Sequence, residues 1–292
     1  MMTKYKYIII AVLFAVLIAS CDKGIENVVY DSTVYLPSDG IREVAPLLGE
    51  STYQIGINRA GINSKESGIT VYLKVDVDSL ERYNAVNRQS NFKLLPEKYY
   101  EIAETTVNLS GDRTLVNIRF KNIDETFVGI DYLLPISIES VSPLINVHPE
   151  KKTIFLHLFR FRNKYEGSYK PVGPIVSDGE VVSRVDKDFV DAVTVNANTI
   201  IVEGPEPNME LLLTVKNDRT VVVSSASGSE KFQVKNMDGN TSDYTGTFNS
   251  KLQRSWGVFD LWYQYVLISD EKESEMYVHA ELRSWYHTFT FE

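Results

Sequence analysis

The sequence predicts an all-β chain: an antiparallel β-sandwich of immunoglobulin-like size, then a second β module that closes as a barrel or, alternatively, forms another sandwich. Three observations carry this. Apolar residues recur at period two through most of the chain, as in half-buried strands. Turn-forming residues separate these runs, as in "KNDRT" and "NMDGNTS". A single stretch, "DSLERYNAVN", reads as a helix.

In chain order, residues 1–20 have the three parts of a secretion signal. Lys4 and Lys6 supply charge, Tyr7 to Ile18 is apolar, and the small residues Ala19 and Ser20 precede Cys21. The apolar run of about 12 residues is too short to span a hydrocarbon core about 30 Å thick. Ile18-Ala19-Ser20-Cys21 resembles a lipobox, which implies that Cys21 is acylated and becomes the first residue of the mature chain. Several acyl chains together give stable anchoring. Cys21 is the only cysteine, so it has no disulfide partner within the chain. Residues 21–27 then form a lipidated tether. Asp22 is compatible with inner-membrane retention in some bacteria and surface export in others. The cell envelope is the expected location, with the outer membrane favoured and the leaflet open.

Residues 28–162 hold the sandwich, with about seven strands between Val28 and Phe161. Ile69, Val71, Leu73, Val75 and Val77 share one face, and Thr70, Tyr72, Lys74 and Asp76 the other. Tyr53, Ile55 and Ile57 alternate likewise, as do Val116, Ile118 and Phe120, then Leu134, Ile136 and Ile138, then Ile154, Leu156 and Leu158. In the helix, Asp78 is placed to cap the start and Glu81 to reach back. "RFRNKYEGSYKPVGP" reads as a junction, with the boundary near Asn163. Residues 163–292 follow as a meander of roughly eight or nine short strands, enough to close a barrel without edges.

Two resemblances bear on this layout. "VYL" at Val34 to Leu36, "YN" at Tyr83-Asn84, "LLPEKYY" at Leu94 to Tyr100 and "DYLLPISIES" at Asp131 to Ser140 resemble an immunoglobulin-like N-terminal domain of surface lipoproteins of the Bacteroidota. The resemblance implies a setting beside glycan-uptake machinery. It also implies a variable C-terminal partner, which can be a glycan binder or a glycosidase. "YEGSYKPVG" resembles the Gly-Tyr opening of lipocalin-like barrels. Neither resemblance places a catalytic residue on this chain.

Composition narrows the partners. The chain is 43% hydrophobic and 24% charged, as in globular proteins, and its net charge of −9 would repel nucleic acid and anionic lipid surfaces. All three tryptophans, Trp256, Trp262 and Trp285, fall in the last 37 residues. In "FDLWYQYVLI", Phe259, Leu261, Tyr263, Tyr265 and Leu267 share one face, and Asp260, Trp262, Gln264, Val266 and Ile268 share the other. In "MYVHAELRSWYH", Val278, Ala280, Leu282 and Tyr286 oppose Tyr277, His279, Glu281, Arg283, Trp285 and His287. Sugars present apolar C–H faces ringed by hydroxyls, which an indole plate with flanking carboxylate, guanidinium and amide groups satisfies. Trp262 and Trp285 are therefore the candidate stacking residues, with Asp260, Gln264, Glu281 and Arg283 as orienting groups. The competing explanation is that these rings fill a core.

Other constellations carry less. His279 and His287 would lie about 26 Å apart on an extended strand, so they cannot share a metal without a sharp bend. Asp238, Asn240 and Asp243 lack a closing glutamate for calcium. Glu203, Glu206 and Glu210 sit in a Pro- and Gly-rich loop. No nucleophile elbow or phosphate loop is present. No metal or cofactor is implied. The functional reading is a lipid-anchored, non-catalytic carbohydrate-binding component of a glycan-uptake system. The alternatives are a structural or assembly lipoprotein that binds another envelope protein, then a glycosidase or an apolar-ligand carrier.

Overall fold

A computed structural model of the chain describes residues 30–37, 40–62, 68–87, 90–127, 129–226, 232–249, 254–268 and 273–284. Its strands and single helix, among the described residues, confirm the all-β class. Residues 1–29, which include the expected signal segment and Cys21, and Trp285, Tyr286 and His287 lie outside them.

The first half contains β1 (Tyr30–Tyr35), β2 (Gly40–Glu43), β3 (Gly49–Ile62), β4 (Ile69–Val75), α1 (Val77–Val86), β5 (Lys93–Leu94), β6 (Tyr100–Ile102), β7 (Thr106–Leu109), β8 (Arg113–Ile123), β9 (Tyr132–Ser142), β10 (Asn146–Val147) and β11 (Thr153–Leu158). One sheet has the order β10-β1-β3-β8-β6. The other runs β2-β11-β9-β4-β7, with β5 also on β9. The residues that alternate in the sequence meet in one core, including Ile55, Ile57, Val116, Ile118, Ile69, Val71, Leu134, Ile136, Ile154 and Leu156.

Two expectations need correction. The sandwich is not purely antiparallel, because β10 pairs parallel with β1, β2 with β11, and β5 with β9. These added strands are two to four residues long, too short to show an alternation. The helix is capped by Asp76 rather than Asp78. Asp76 Oδ1 accepts from the Ser79 N–H at 3.3 Å, and Oδ2 accepts from the hydroxyls of Ser79 at 2.6 Å and Ser137 at 2.9 Å. Ser137 belongs to β9, so a contact 61 residues away in sequence decides where strand gives way to helix. Val77, which the alternation assigned to the core face, is 42% exposed on the first turn.

The second half contains β12 (Gly167–Ser177), β13 (Glu180–Asp186), β14 (Val190–Thr194), β15 (Thr199–Glu203), β16 (Glu210–Val215), β17 (Val221–Ser225), β18 (Phe232–Asn236), β19 (Asp243–Asn249), β20 (Arg254–Ile268) and β21 (Glu273–Ser284). The order β17-β16-β15-β14-β12-β21-β20-β18 bends into a nearly closed barrel. Its two ends approach where the Val223 N–H on β17 donates to Asn236 Oδ1 on β18 at 3.0 Å. The interior is filled: Tyr169, Phe259, Tyr263 and Tyr265 are all almost fully buried within it. Such packing leaves the apolar-carrier reading without the wide interior it needs.

β13 was not expected, and β12 runs on through Pro171 and Pro174 where the sequence reads as a loop. Gly173 explains part of this. A Cβ there would lie 2.0 Å from the carbonyl oxygen of His279, so β12 reaches β21 only because no side chain intervenes.

One core ends at Phe161 and the next begins at Tyr165. Between them, Asn163 is almost fully buried. Its Nδ2 donates to the carbonyls of Asn196 (2.8 Å) and Thr199 (3.0 Å), and its Oδ1 accepts from the Tyr165 N–H (2.9 Å). Arg162 bonds back to the first half through the carbonyls of Ala45 and Pro46.

Candidate functional site

The site is built on the longest ribbon of the barrel. β20 and β21 pair in register from Val258 opposite Arg283 to Ile268 opposite Glu273. Phe259, Leu261, Tyr263 and Tyr265 point inward with Val278, Ala280 and Leu282, as the alternation requires. The outer face then carries three cross-strand pairs: Asp260 with Glu281, Trp262 with His279, and Gln264 with Tyr277.

Trp262 and His279 stack, with ring centroids 3.7 Å apart and planes 11° from parallel. His279 Nε2 lies 2.7 Å from Asp260 Oδ1. Glu281 accepts from Arg283 Nε at 2.9 Å and Nη2 at 2.5 Å. Arg283 thus neutralises Glu281, which offsets the repulsion of the two acids placed directly opposite, while Asp260 has the His279 ring within hydrogen-bond distance. Gln264 is only 7% exposed, lower in the sheet than the groups around it. The ribbon therefore brings Asp260, Trp262, Glu281 and Arg283 onto one outer face, with Gln264 partly submerged. Trp285 and Cys21 lie outside the described residues.

Trp262 stands where β20 changes partner. Below it β19 pairs with β20 up to Asp243 opposite Asp260, and above it β18 begins with Asn236 opposite Tyr263. Ser242 bridges the gap. Its hydroxyl oxygen accepts from the Trp262 N–H at 2.7 Å and donates to the Trp262 carbonyl at 3.1 Å, and the Met237 N–H adds a bond to that carbonyl at 3.2 Å. The turn from Met237 to Ser242 is thereby fastened to the backbone of the exposed indole. Asp238, Asn240 and Asp243 lie in and beside this turn, and all three are exposed. Among the described residues, no group of three acids, histidines or cysteines is arranged to hold a metal.

His279 is the partner that residue-level reading missed. Its position follows from the register of the two strands, which sets Trp262 opposite His279. The first half carries another aromatic row. Phe155 and His157 lie on the outer side of β11, and Phe159 follows just beyond its end. His157 lies 4.9 Å from the ring of Phe92 and 5.2 Å from that of Phe159, and its Nε2 lies 3.2 Å from Asp131 Oδ1. These rings meet edge-on or tilted and pack with Tyr83 of α1, an arrangement of packing rather than of an open plate.

The glutamates of the 203–210 loop separate into different roles. Glu206 Oε1 accepts from the Tyr265 hydroxyl at 2.5 Å, while Glu203 pairs with Lys187 at 2.6 Å and lies opposite Glu210. Burial, together with the bond to Glu206 and its charge, pushes the Tyr265 phenol well above its usual range. Asp191, Val193, Glu203, Asn208 and Glu210 line an open groove of about 370 Å³ on this side of the barrel.

Comparisons with known proteins place the chain by fold. A protein-family profile for a "-like, N-terminal domain" matches residues 30–145, less than half of the chain. No curated protein matches. Among solved structures, a protein of unknown function from Bacteroides ovatus is 14% identical. The match covers 88% of this chain and 96% of that one, with a TM-score of 0.52. A multidomain protein including DUF1735 from Bacteroides ovatus is 18% identical over 87% of this chain and 94% of its own, with a TM-score of 0.41. A protein from Bacteroides ovatus provisionally described as carbohydrate binding is 12% identical over 84% and 67% of the two chains, with a TM-score of 0.36.

Proposed function

We propose that the chain is a lipid-anchored, non-catalytic carbohydrate-binding protein of the bacterial envelope, and that sugar stacks on Trp262. The observation that carries the reading is the partly exposed indole on the outer face of β20, held by the His279 stack and by the Ser242 bonds to its backbone. A sugar ring needs a flat apolar plate fixed in orientation, with hydrogen-bonding groups beside it. Asp260, Glu281 and Arg283 supply those groups. His279 and Arg283 already occupy the two carboxylates, which suits orientation of hydroxyls better than proton transfer.

Trp262→Ala tests the site. A glycan panel titrated against the wild-type chain should yield at least one ligand whose affinity falls up to about tenfold in the variant, from lost stacking of about 0.5–1.5 kcal/mol. Unchanged affinity in a folded variant would remove Trp262 from binding. The anchor belongs to the same proposal and rests on the residues around Cys21. Cys21→Ser should shift the protein from the membrane to the soluble fraction and abolish incorporation of labelled fatty acid. Continued labelling would contradict acylation at that residue.

A further inference from the structure

The second inference rests on the stacking reading and concerns which sugars the site admits. His279 covers the face of Trp262 turned toward β21. A ligand must therefore use the opposite face, across β20, where β18 gives way to β19. Met237 and the exposed residues Asp238, Asn240 and Thr241 border that side, with Gly239 at φ 81° turning the chain. Asp243 follows, exposed and directly opposite Asp260. Glu281 extends the same row one strand further.

Among the described residues this surface carries four carboxylates, Asp238, Asp243, Asp260 and Glu281, against three lysine or arginine side chains, Arg283, Lys235 and Arg219. His279 lies behind the indole and bonds Asp260. Arg283 is tied to Glu281, exposed Lys235 stands opposite Gln264 two positions along from Trp262, and exposed Arg219 precedes Thr220, which pairs with Asp243. We infer that the site is charge-selective: it admits neutral and amino sugars and rejects glycans carrying uronate or sulfate groups. An anionic substituent on a ring stacked against Trp262 meets Asp238 and Asp243 on the turn side, with Asp260 and Glu281 in the same row. Each like charge a few ångströms away through water lowers affinity about fivefold. Asn240 and Thr241 offer neutral donors and acceptors that any sugar hydroxyl can use.

The experiment titrates the chain starting after Cys21 with three oligosaccharide series of matched length: neutral cello-oligosaccharides, chitosan oligosaccharides and oligogalacturonates. The uronates should bind about tenfold more weakly than the neutral series, and the gap should narrow as salt rises from about 0.01 M to about 1 M and the Debye length contracts from about 30 to about 3 Å. Asp238→Asn with Asp243→Asn should raise uronate affinity at least fivefold and leave neutral ligands unchanged. Neutral binding that Trp262→Ala weakens, accompanied by equal or tighter uronate binding, overturns charge selection and leaves the stacking site standing. Failure of all three series to bind the wild-type chain overturns both.

Discussion

Asp76 shows how much one side chain can settle. It is buried at the end of β4, where its carboxylate takes the Ser79 and Ser137 hydroxyls and the Ser79 N–H. Burial alone would raise its pKa. The hydrogen bonds, with a smaller contribution from Lys74, outweigh that and hold the carboxyl below its usual range. A folded-state pKa below the unfolded one gives stability that is complete above the unfolded value, near about 4, and is lost as pH falls through the folded value. Asp76→Asn should therefore cost about 1.5–3 kcal/mol near neutral pH, the range for hydrogen bonds to a charged group. The difference from wild type should shrink below about pH 4. Urea unfolding of both proteins across that range checks it, and a deficit independent of pH would mean that the ionised carboxylate is not what holds the helix start.

At the scale of the element, the β20–β21 ribbon was the most legible part of the molecule and α1 was only half so. Strict alternation in "FDLWYQYVLI" and "VHAEL" separates inner from outer residues without knowledge of any partner, because both strands have one face in the core. What alternation cannot give is what lies beside Trp262, since that depends on register and on where β18 ends. The Ser242 bridge is a contact of this kind: a serine 20 positions away replaces the backbone pairing that β20 loses between two strands. The capping aspartate was hidden for a similar reason, its deciding partner being on β9. Ser242→Ala removes both bonds and leaves the Trp262 N–H without its acceptor, at a cost of about 1–3 kcal/mol. The loss should be local. Tryptophan emission and glycan affinity should change more than the melting temperature, whereas wild-type binding would show that the turn does not position the indole.

Across the whole molecule, the two cores have no residue in common among the described residues, but they are stitched at a seam. Phe161 closes the first core and Tyr165 opens the second, with Asn163 and Arg162 bonded to opposite sides. A further bond runs from the Ala197 N–H to Glu125 Oε1 at 2.8 Å. These are a handful of polar contacts, small beside the burial of some twenty apolar side chains in each core. Independent cooperative units are the expected consequence. The sequence provides a built-in probe, because every tryptophan lies after residue 255. Indole emission therefore follows the barrel, while far-ultraviolet dichroism follows both halves. Leu213 and Ile136 are each fully buried, one in each core, so truncation of either to alanine costs about 2–5 kcal/mol. Leu213→Ala should lower the denaturant midpoint seen by tryptophan. Ile136→Ala should leave that midpoint in place and split the dichroism transition in two. If Ile136→Ala moves the tryptophan midpoint as far as Leu213→Ala does, the seam couples the halves into a single folding unit, and the first half must then be treated as part of the scaffold that holds Trp262.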